Sequence, residues 1–140
     1  MDEIQNKLGT RAKIGLLATT GTVQTGIYGD KAKAMGLPMF VPDDLHQKRV
    51  MAAIYGPQGA KAGYTNGICR EDLISAAEYL VKTHGCNCLI LGCTELPLIL
   101  DESDDFEVAG SRVIVVDPTA ALARKVVKTA EDAYAATGIR

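Results

Sequence analysis

One cysteine in this chain stands where a thiol could carry out proton chemistry. Cys93 follows the aliphatic run 89–91 and Gly92, and it precedes the short apolar segment 96–100. This order predicts a buried strand, a turn and a short helix, with the thiol on the turn. Because the free N–H groups at a helix N-terminus stabilise negative charge, we expect the pKa of Cys93 to be lowered toward the thiolate.

The residues beside Cys93 favour an acid/base role, although a purely structural role stays open. Thr94 offers a hydroxyl to a carboxylate or an oxyanion, and Glu95 suits the start of a helix. However, free cysteines are usually small buried hydrophobes, and Thr94 can simply cap the helix. From position alone, the two interpretations of Cys93 have about equal support.

Strands that alternate with helices must position this turn. Uninterrupted apolar runs predict strands buried on both faces, and amphipathic segments between them predict helices. The predicted strands span residues 13–18, 39–41, 88–91 and 112–116, and the predicted helices span residues 23–35, 44–55, 69–84 and 118 onward. Such alternation requires right-handed crossovers, so we expect an α/β fold with a four-stranded parallel sheet.

The remaining segments are predicted to be less regular. Residues 1–11 form a leading helix or arm, residues 56–67 a glycine-rich loop, and residues 101–105 a solvated acidic loop. Asp117 caps the last helix and Pro118 takes its first position, where a missing N–H costs nothing. The apolar stripe of this helix, which we expect to face inward, comprises Leu122, Val126, Ala130, Ala133 and Tyr134.

Three polar turns are predicted to meet at one edge of the sheet. Ligands of parallel sheets bind beyond the carboxyl ends of the strands. The turns that contain Thr19, Cys93 and Asp117 all lie at that edge. The turn 19–22 could also hold a phosphate at a helix N-terminus, but it matches neither a dinucleotide-binding motif nor a P-loop. Nucleotide binding is therefore a minor alternative.

Three segments taken together resemble the aspartate/glutamate racemase superfamily. Residues 92–95 read GCTE, residues 14–28 are similar to an LLATxGT…G.Y segment, and residues 115–119 contain D-P-T. Their order and spacing agree with the family over residues 13–130, which makes the match specific although each motif alone is weak. The resemblance implies a flavodoxin-like three-layer fold and an amino-acid racemase that needs no cofactor.

The resemblance also implies roles for individual residues. In this family two thiols on opposite faces of Cα act in turn as thiolate base and thiol acid. Cys93 matches one catalytic cysteine, and Lys61 is similar to a lysine that binds the side-chain carboxylate of an acidic substrate. We expect Thr19, Thr22 and Thr94 to complete an anion pocket with these two residues. The alternatives are that Lys61 is a solvated loop lysine and that Thr19 forms hydrogen bonds only within its own turn.

The resemblance covers only the second of the two similar halves that make up complete family members. Residues 1–140 are therefore expected to form a single α/β domain that lacks the half with the other cysteine. The nearest similar segment, residues 65–69, has the wrong order. A homodimer through an apolar patch at Leu96, Pro97 and Leu98 could bring in a second thiol. The alternative is a non-catalytic remnant or fragment that binds a small carboxylate or phosphate.

Composition excludes several other classes of function. The chain has 140 residues and a formal charge of −2, which argues against nucleic-acid binding. No apolar run approaches the ~20 residues of a membrane helix, and the N-terminus is too acidic for a signal peptide. Four cysteines without a secreted pattern favour a reduced, cytoplasmic setting. His84, Cys86 and Cys88 lack zinc-site spacing, so we expect no metal, although the last two should share one face of a strand.

Overall fold

The computed structural model describes residues 1–137, in which a central sheet carries helices on both faces. The strands are β1 (Ile14–Leu17), β2 (Met39–Phe40), β3 (Cys88–Leu91), β4 (Ser103–Val108) and β5 (Ser111–Val116). Their order across the sheet is β2-β1-β3-β5-β4. The first four strands in that order run parallel, and β4 is antiparallel to β5.

Within residues 1–137, six helices and three short turns of 3-10 helix precede, connect or follow these strands. The helices are α1 (Asp2–Leu8), α2 (Thr20–Thr25), α3 (Ile27–Ala34), α4 (Asp44–Tyr55), α5 (Ile68–His84) and α6 (Pro118–Thr137). The 3-10 turns are Gly9–Arg11, Ala60–Ala62 and Leu96–Leu98. The predicted α/β, flavodoxin-like class is confirmed, with one strand more than the four expected.

The additional strand lies where the sequence predicted a solvated acidic loop. In β4 the acidic residues are exposed at the sheet edge, while Phe106 is half-buried and Val108 is buried. This alternation is typical of an edge strand with one solvated face. Ala109 and Gly110 both have positive φ, as a tight hairpin turn into β5 requires. The prediction of a loop over residues 101–105 was wrong because the high charge obscured this period of two.

The helix predicted over residues 23–35 is instead two helices. Gly26 adopts the left-handed conformation with φ 72°, which ends α2 and lets α3 start in a new direction. α2 also begins earlier than predicted, because the side chain of Thr19 caps it. α4 begins where it was predicted to begin, and Asp43 caps it by accepting a hydrogen bond from the His46 N–H.

Two apolar layers hold the helices on the sheet. One layer joins α4 and α5 to the first face, and the other joins α1 and α3 to the second face. The apolar residues at helical spacing along α4 and α5 are buried, namely Val50, Ala53, Ile54, Leu73, Ala76, Ala77, Leu80 and Val81. Leu45 shares this spacing but is exposed at the start of α4.

α6 contacts the rest of the domain mainly through its first turns. Ala121 packs on the second apolar layer, and Arg124 forms ion pairs with Glu3 of α1 and with Glu102. Every residue over 122–137 is exposed, so the expectation that the stripe of α6 faces inward was wrong. Within residues 1–137, no helix is both long enough and apolar enough to cross a membrane.

Candidate functional site

The turns that follow β1 and β3 lie side by side at the carboxyl edge of the sheet. The two strands pair in parallel with Leu17 opposite Leu91, and the Gly92 N–H donates a 2.7 Å hydrogen bond to the Leu17 carbonyl. A Cβ atom on Gly92 would lie 3.0 Å from the Cβ of Ala18, closer than ordinary contact. A glycine before Cys93 therefore allows the two turns to pack together.

The turn after β1 uses its hydroxyl groups to begin a helix. The Thr22 N–H donates to Thr19 Oγ1 at 3.2 Å, and the two hydroxyl oxygens are 3.0 Å apart. Thr19 is thus the N-cap of α2. This agrees with the alternative in which its hydroxyl forms hydrogen bonds within its own turn.

Two residues of α4 support this turn, and neither was identified from the sequence. Gln47 donates from Nε2 to the Ala18 carbonyl at 2.8 Å, and the Thr20 N–H lies 3.3 Å from the sulfur of Met51. Within the described part of the chain, the buried Gln47 Oε1 has no hydrogen-bond partner. No short motif marks these residues, because they reach the turn through packing of a helix distant in sequence.

Around Cys93, three donors converge on the carboxylate of Glu95. The thiol donates to Oε2 at 2.9 Å, and the Thr94 hydroxyl donates to the same oxygen at 3.0 Å. Lys61 Nζ donates to the other oxygen, Oε1, at 2.5 Å. The same ammonium group lies 5.5 Å from the ring centroid of Tyr55. The glycine-rich loop therefore brings its lysine to the turn that follows β3.

These contacts fix the protonation states of the site. Burial raises the pKa of the Cys93 thiol above its ordinary value of 9.0, and the hydrogen bond to Glu95 raises it further. The pKa of Glu95 falls to about 2, first because of the Cys93 thiol and then because of Lys61 and Thr94. At neutral pH the resting site thus holds a thiol, a carboxylate and an ammonium group.

The expected lowering of the pKa of Cys93 was therefore wrong. The segment after Cys93 is the three-residue 3-10 turn Leu96–Leu98, which has little dipole to stabilise a thiolate. The adjacent carboxylate has the opposite effect, because a second negative charge opposes ionisation of the thiol. Glu95 was noted in the sequence only as a residue suited to a helix start, although its position beside Cys93 and Thr94 was a usable signal.

The structure brings the predicted site residues together in two groups. Lys61, Cys93 and Thr94 share one carboxylate, while Thr19 and Thr22 share a capping interaction on the neighbouring turn. Within residues 1–137, no hydrogen bond joins the two groups.

The other three cysteines are buried and belong to the core. Cys86 packs in the layer of α4 and α5, whereas Cys88 packs in the layer of α1, so their expected placement on one face was wrong. Burial raises the pKa of Cys86 to about 11 and that of Cys88 to about 12. Within residues 1–137, no three His, Cys, Asp or Glu side chains lie together as metal ligands would.

Comparison with known proteins identifies relatives of this chain. The Asp/Glu/Hydantoin racemase family matches residues 2–126. An uncharacterized protein from the pnlA 3′ region of Pectobacterium carotovorum subsp. carotovorum is 38% identical over 122 residues, which are 87% of this chain and 75% of that protein. A glutamate racemase of Desulforudis audaxviator (strain MP104C) is 30% identical over 120 residues, which are 84% of this chain.

A solved structure agrees with these sequence relatives. The crystal structure of an aspartate racemase homologue from Pyrococcus horikoshii OT3 superposes with a TM-score of 0.72 at 25% identity, covering 93% of this chain. The chain spans 40% of the length of the glutamate racemase and 54% of the Pyrococcus chain.

Proposed function

Because this chain belongs to the Asp/Glu/Hydantoin racemase family, we propose that it takes part in racemising a small amino acid, with Cys93 as an acid/base group. One observation carries the proposal. A thiol, a hydroxyl and an ammonium group all contact a single carboxylate, that of Glu95. A carboxylate-binding position thus lies directly beside a group that can exchange a proton.

In the proposed complex, the side-chain carboxylate of an acidic substrate takes the place of the Glu95 side chain. Thr94 and Lys61 then donate to the substrate as they donate to Glu95 in the resting site. Thr19 and Thr22 bind the other end of the substrate from the neighbouring turn. The positive charge of Lys61 favours an acidic amino acid, since charge-assisted hydrogen bonds are about twice as strong as neutral ones.

The proposed reaction is two proton transfers at Cα. A base on one face removes the Cα proton and leaves a carbanion, whose charge spreads into the substrate carboxylate and is stabilised by the surrounding donors. Cys93, held as a thiol, then gives its S–H proton to the opposite face and becomes the thiolate. In the reverse direction the thiolate of Cys93 removes the proton. Thiol chemistry of this kind needs no cofactor.

The second acid/base group is proposed to come from another chain. Within residues 1–137, Cys93 is the one cysteine that is not buried, so the domain offers a single accessible thiol at this edge. A homodimer of this chain would supply a second thiol in a cleft between two copies. This arrangement satisfies the requirement for groups on both faces of Cα.

A second candidate function is carboxylate binding without turnover. The observation that favours it is the resting network itself, in which Glu95 keeps Cys93 protonated and pairs with Lys61. If Glu95 stays in place when a ligand binds, the thiol does not reach Cα. Such a protein would bind a small anion at the edge of the sheet and leave its configuration unchanged.

Racemisation assays on matched variants separate the two functions. We expect the wild-type protein to convert L-aspartate or L-glutamate into a mixture of enantiomers, measured by chiral chromatography, and Cys93→Ala to be inactive. Cys69→Ser is the control. Cys69 belongs to the core, and a serine hydroxyl can still donate to the Asn66 carbonyl as the thiol does. Binding of aspartate with no change of configuration in either protein would support the second candidate.

A further inference from the structure

A cavity lies between the sheet and the helices α1, α3 and α6, and its lining differs from the residues around Cys93. Its volume is about 710 Å³, which is within the usual size of small-molecule sites. Ile90 of β3 and Val116 of β5 form its floor and are almost fully buried. Ile27 and Leu122 line its open side and are 66% and 62% exposed. The cavity therefore combines an apolar interior with access from solvent.

Helix α3 contributes two hydrogen-bond donors to this cavity. Ile27, Tyr28 and Lys31 all line it. Residues three or four positions apart on a helix are neighbours on its surface, so these side chains form one strip. Within residues 1–137, neither the hydroxyl of Tyr28 nor the ammonium group of Lys31 forms a hydrogen bond or an ion pair. Two donors on one face of α3 are thus available to a ligand.

The charges around the cavity favour an anion. Four cationic side chains and two carboxylates line it, which leaves a net charge of +2. The carboxylates already have partners, since Asp2 pairs with Lys125 at 2.8 Å and Glu3 pairs with Arg124 at 2.7 Å. Within the described chain, no carboxylate pairs with Lys31 in this way. The charge of Lys31 is therefore the one that a ligand can neutralise.

The ring of Tyr28 separates the cavity from the turn that contains Cys93. A Cβ atom on Gly92 would lie 3.3 Å from Cε2 of this ring, so the ring packs against that turn while it lines the cavity. Burial raises the pKa of Tyr28, and the charge of Asp117 raises it further, which keeps the hydroxyl in its donor form. A molecule in the cavity would contact Tyr28 without occupying the position beside Cys93.

We propose that this cavity binds an amphipathic organic anion, a small molecule with an apolar body and one carboxylate or sulfonate group. The apolar body covers Ile90 and Val116, where removal of apolar surface from water favours binding. The oxygens of the anionic group accept hydrogen bonds from Tyr28 and Lys31. The bond from Lys31 is charge-assisted and therefore the stronger of the two. The site is separate from the chemistry at Cys93, so the inference holds for an inactive protein as well.

Other classes of ligand fit the cavity less well. A wholly apolar molecule would cover the donors of Tyr28 and Lys31 without giving them a partner, which costs free energy. A polyphosphate would need several available cations, but Arg124 and Lys125 are engaged by the carboxylates of α1. One anionic group on an apolar body matches both the lining and the available charge.

Fluorescence titration with anilinonaphthalene sulfonate tests the cavity, because this dye has an apolar aromatic body and one sulfonate. We expect saturable binding to the wild-type protein. Ile27→Glu, which places a carboxylate at the open side, should weaken binding at least about tenfold while circular dichroism shows an unchanged fold. Leu45→Glu is the matched control, since Leu45 is also 66% exposed but lies on α4. Absence of binding to the wild-type protein, or equal weakening in both variants, would overturn the inference.

Two further variants and a pair of competitors test the recognition of the anion. Lys31→Met should weaken dye binding about tenfold and Tyr28→Phe about threefold, as expected for a charged and a neutral hydrogen bond. Lys33→Met, on the same helix but outside the cavity lining, is the control and should bind as the wild type does. Octanoate should displace the dye at a concentration about tenfold lower than octanol does. Equal displacement by the two compounds, or unchanged binding in Lys31→Met, would overturn the proposal.

Discussion

The thiol of Cys93 donates a 2.9 Å hydrogen bond to the carboxylate of Glu95, two residues further along the chain. This contact favours the protonated sulfur, because the carboxylate raises the pKa of the thiol. Lys61 holds the same carboxylate from the other side at 2.5 Å. In the proposed complex, an anionic ligand therefore has to displace the side chain of Glu95.

Cys93 should be the first of the four cysteines to react with iodoacetamide, because it is the least buried and the others lie in the core. Its pKa is raised, so the thiolate is a minor species at neutral pH. The rate of alkylation should therefore rise about tenfold per pH unit from pH 7 toward the pKa. Mass spectrometry of tryptic peptides measures the order in which the cysteines are alkylated. Labelling of Cys69 or Cys86 before Cys93 would refute the prediction.

Replacing Glu95 with glutamine should make Cys93 more reactive. The substitution keeps the size of the side chain but removes the negative charge that raises the pKa of the thiol. A lower pKa gives a larger thiolate fraction, so alkylation at pH 7 should be several-fold faster. Glu107→Gln, on the exposed face of β4, is the control and should have no effect. Slower alkylation in Glu95→Gln would mean that the carboxylate activates the thiol.

Replacing Lys61 with methionine should have the opposite effect on the thiol. Lys61 is a positive charge that lowers the pKa of Cys93 and of Glu95, so its loss should slow alkylation. Binding of aspartate or succinate, measured by calorimetry, should weaken as well, because a donor to the carboxylate is lost. Lys48→Met, on the exposed side of α4, serves as the control. Equal succinate affinity in the Lys61 and Lys48 variants would place the anion elsewhere.

Replacing Gly92 with alanine should disturb both turns of the site. The new methyl group would lie 3.0 Å from Ala18 Cβ and 3.0 Å from Leu16 Cδ1. Overpacking of this kind typically costs about 1–3 kcal/mol. We expect a lower midpoint in urea unfolding and altered alkylation of Cys93. Gly110→Ala, in the turn between β4 and β5, has open space around its Cβ but positive φ. It should affect stability alone.

Much of the fold could be predicted because its core elements are locally consistent. The apolar runs that became β1 and β3 have no polar interruption, and the inward residues of α5 repeat at helical spacing. Where competing signals were present, the prediction failed. Charge obscured the alternation of β4, and Gly26 divided a segment that looked like one helix. The exposure of the apolar stripe of α6 depends on tertiary arrangement, which its sequence pattern does not encode.

The sequence indicated the candidate site residues, whose roles stay predictions, but it did not indicate the electrostatics around Cys93. Motif and strand-end position indicated Cys93 and Thr94, and the glycine-rich loop indicated Lys61. The raised pKa of the thiol arises from a carboxylate whose side-chain direction is set by the turn, and a linear sequence does not show that direction. Gln47 and Met51 were missed because α4 reaches the Thr19 turn only through packing.

The most direct test of the proposed function is the exchange of the substrate Cα hydrogen with solvent. The protein is incubated with L-aspartate in heavy water, and loss of the Cα proton signal is followed by NMR. Our account predicts deuterium incorporation with the wild-type protein and none with Cys93→Ala. Cys69→Ser should exchange at the wild-type rate. Exchange that persists in Cys93→Ala would contradict the central role of this thiol.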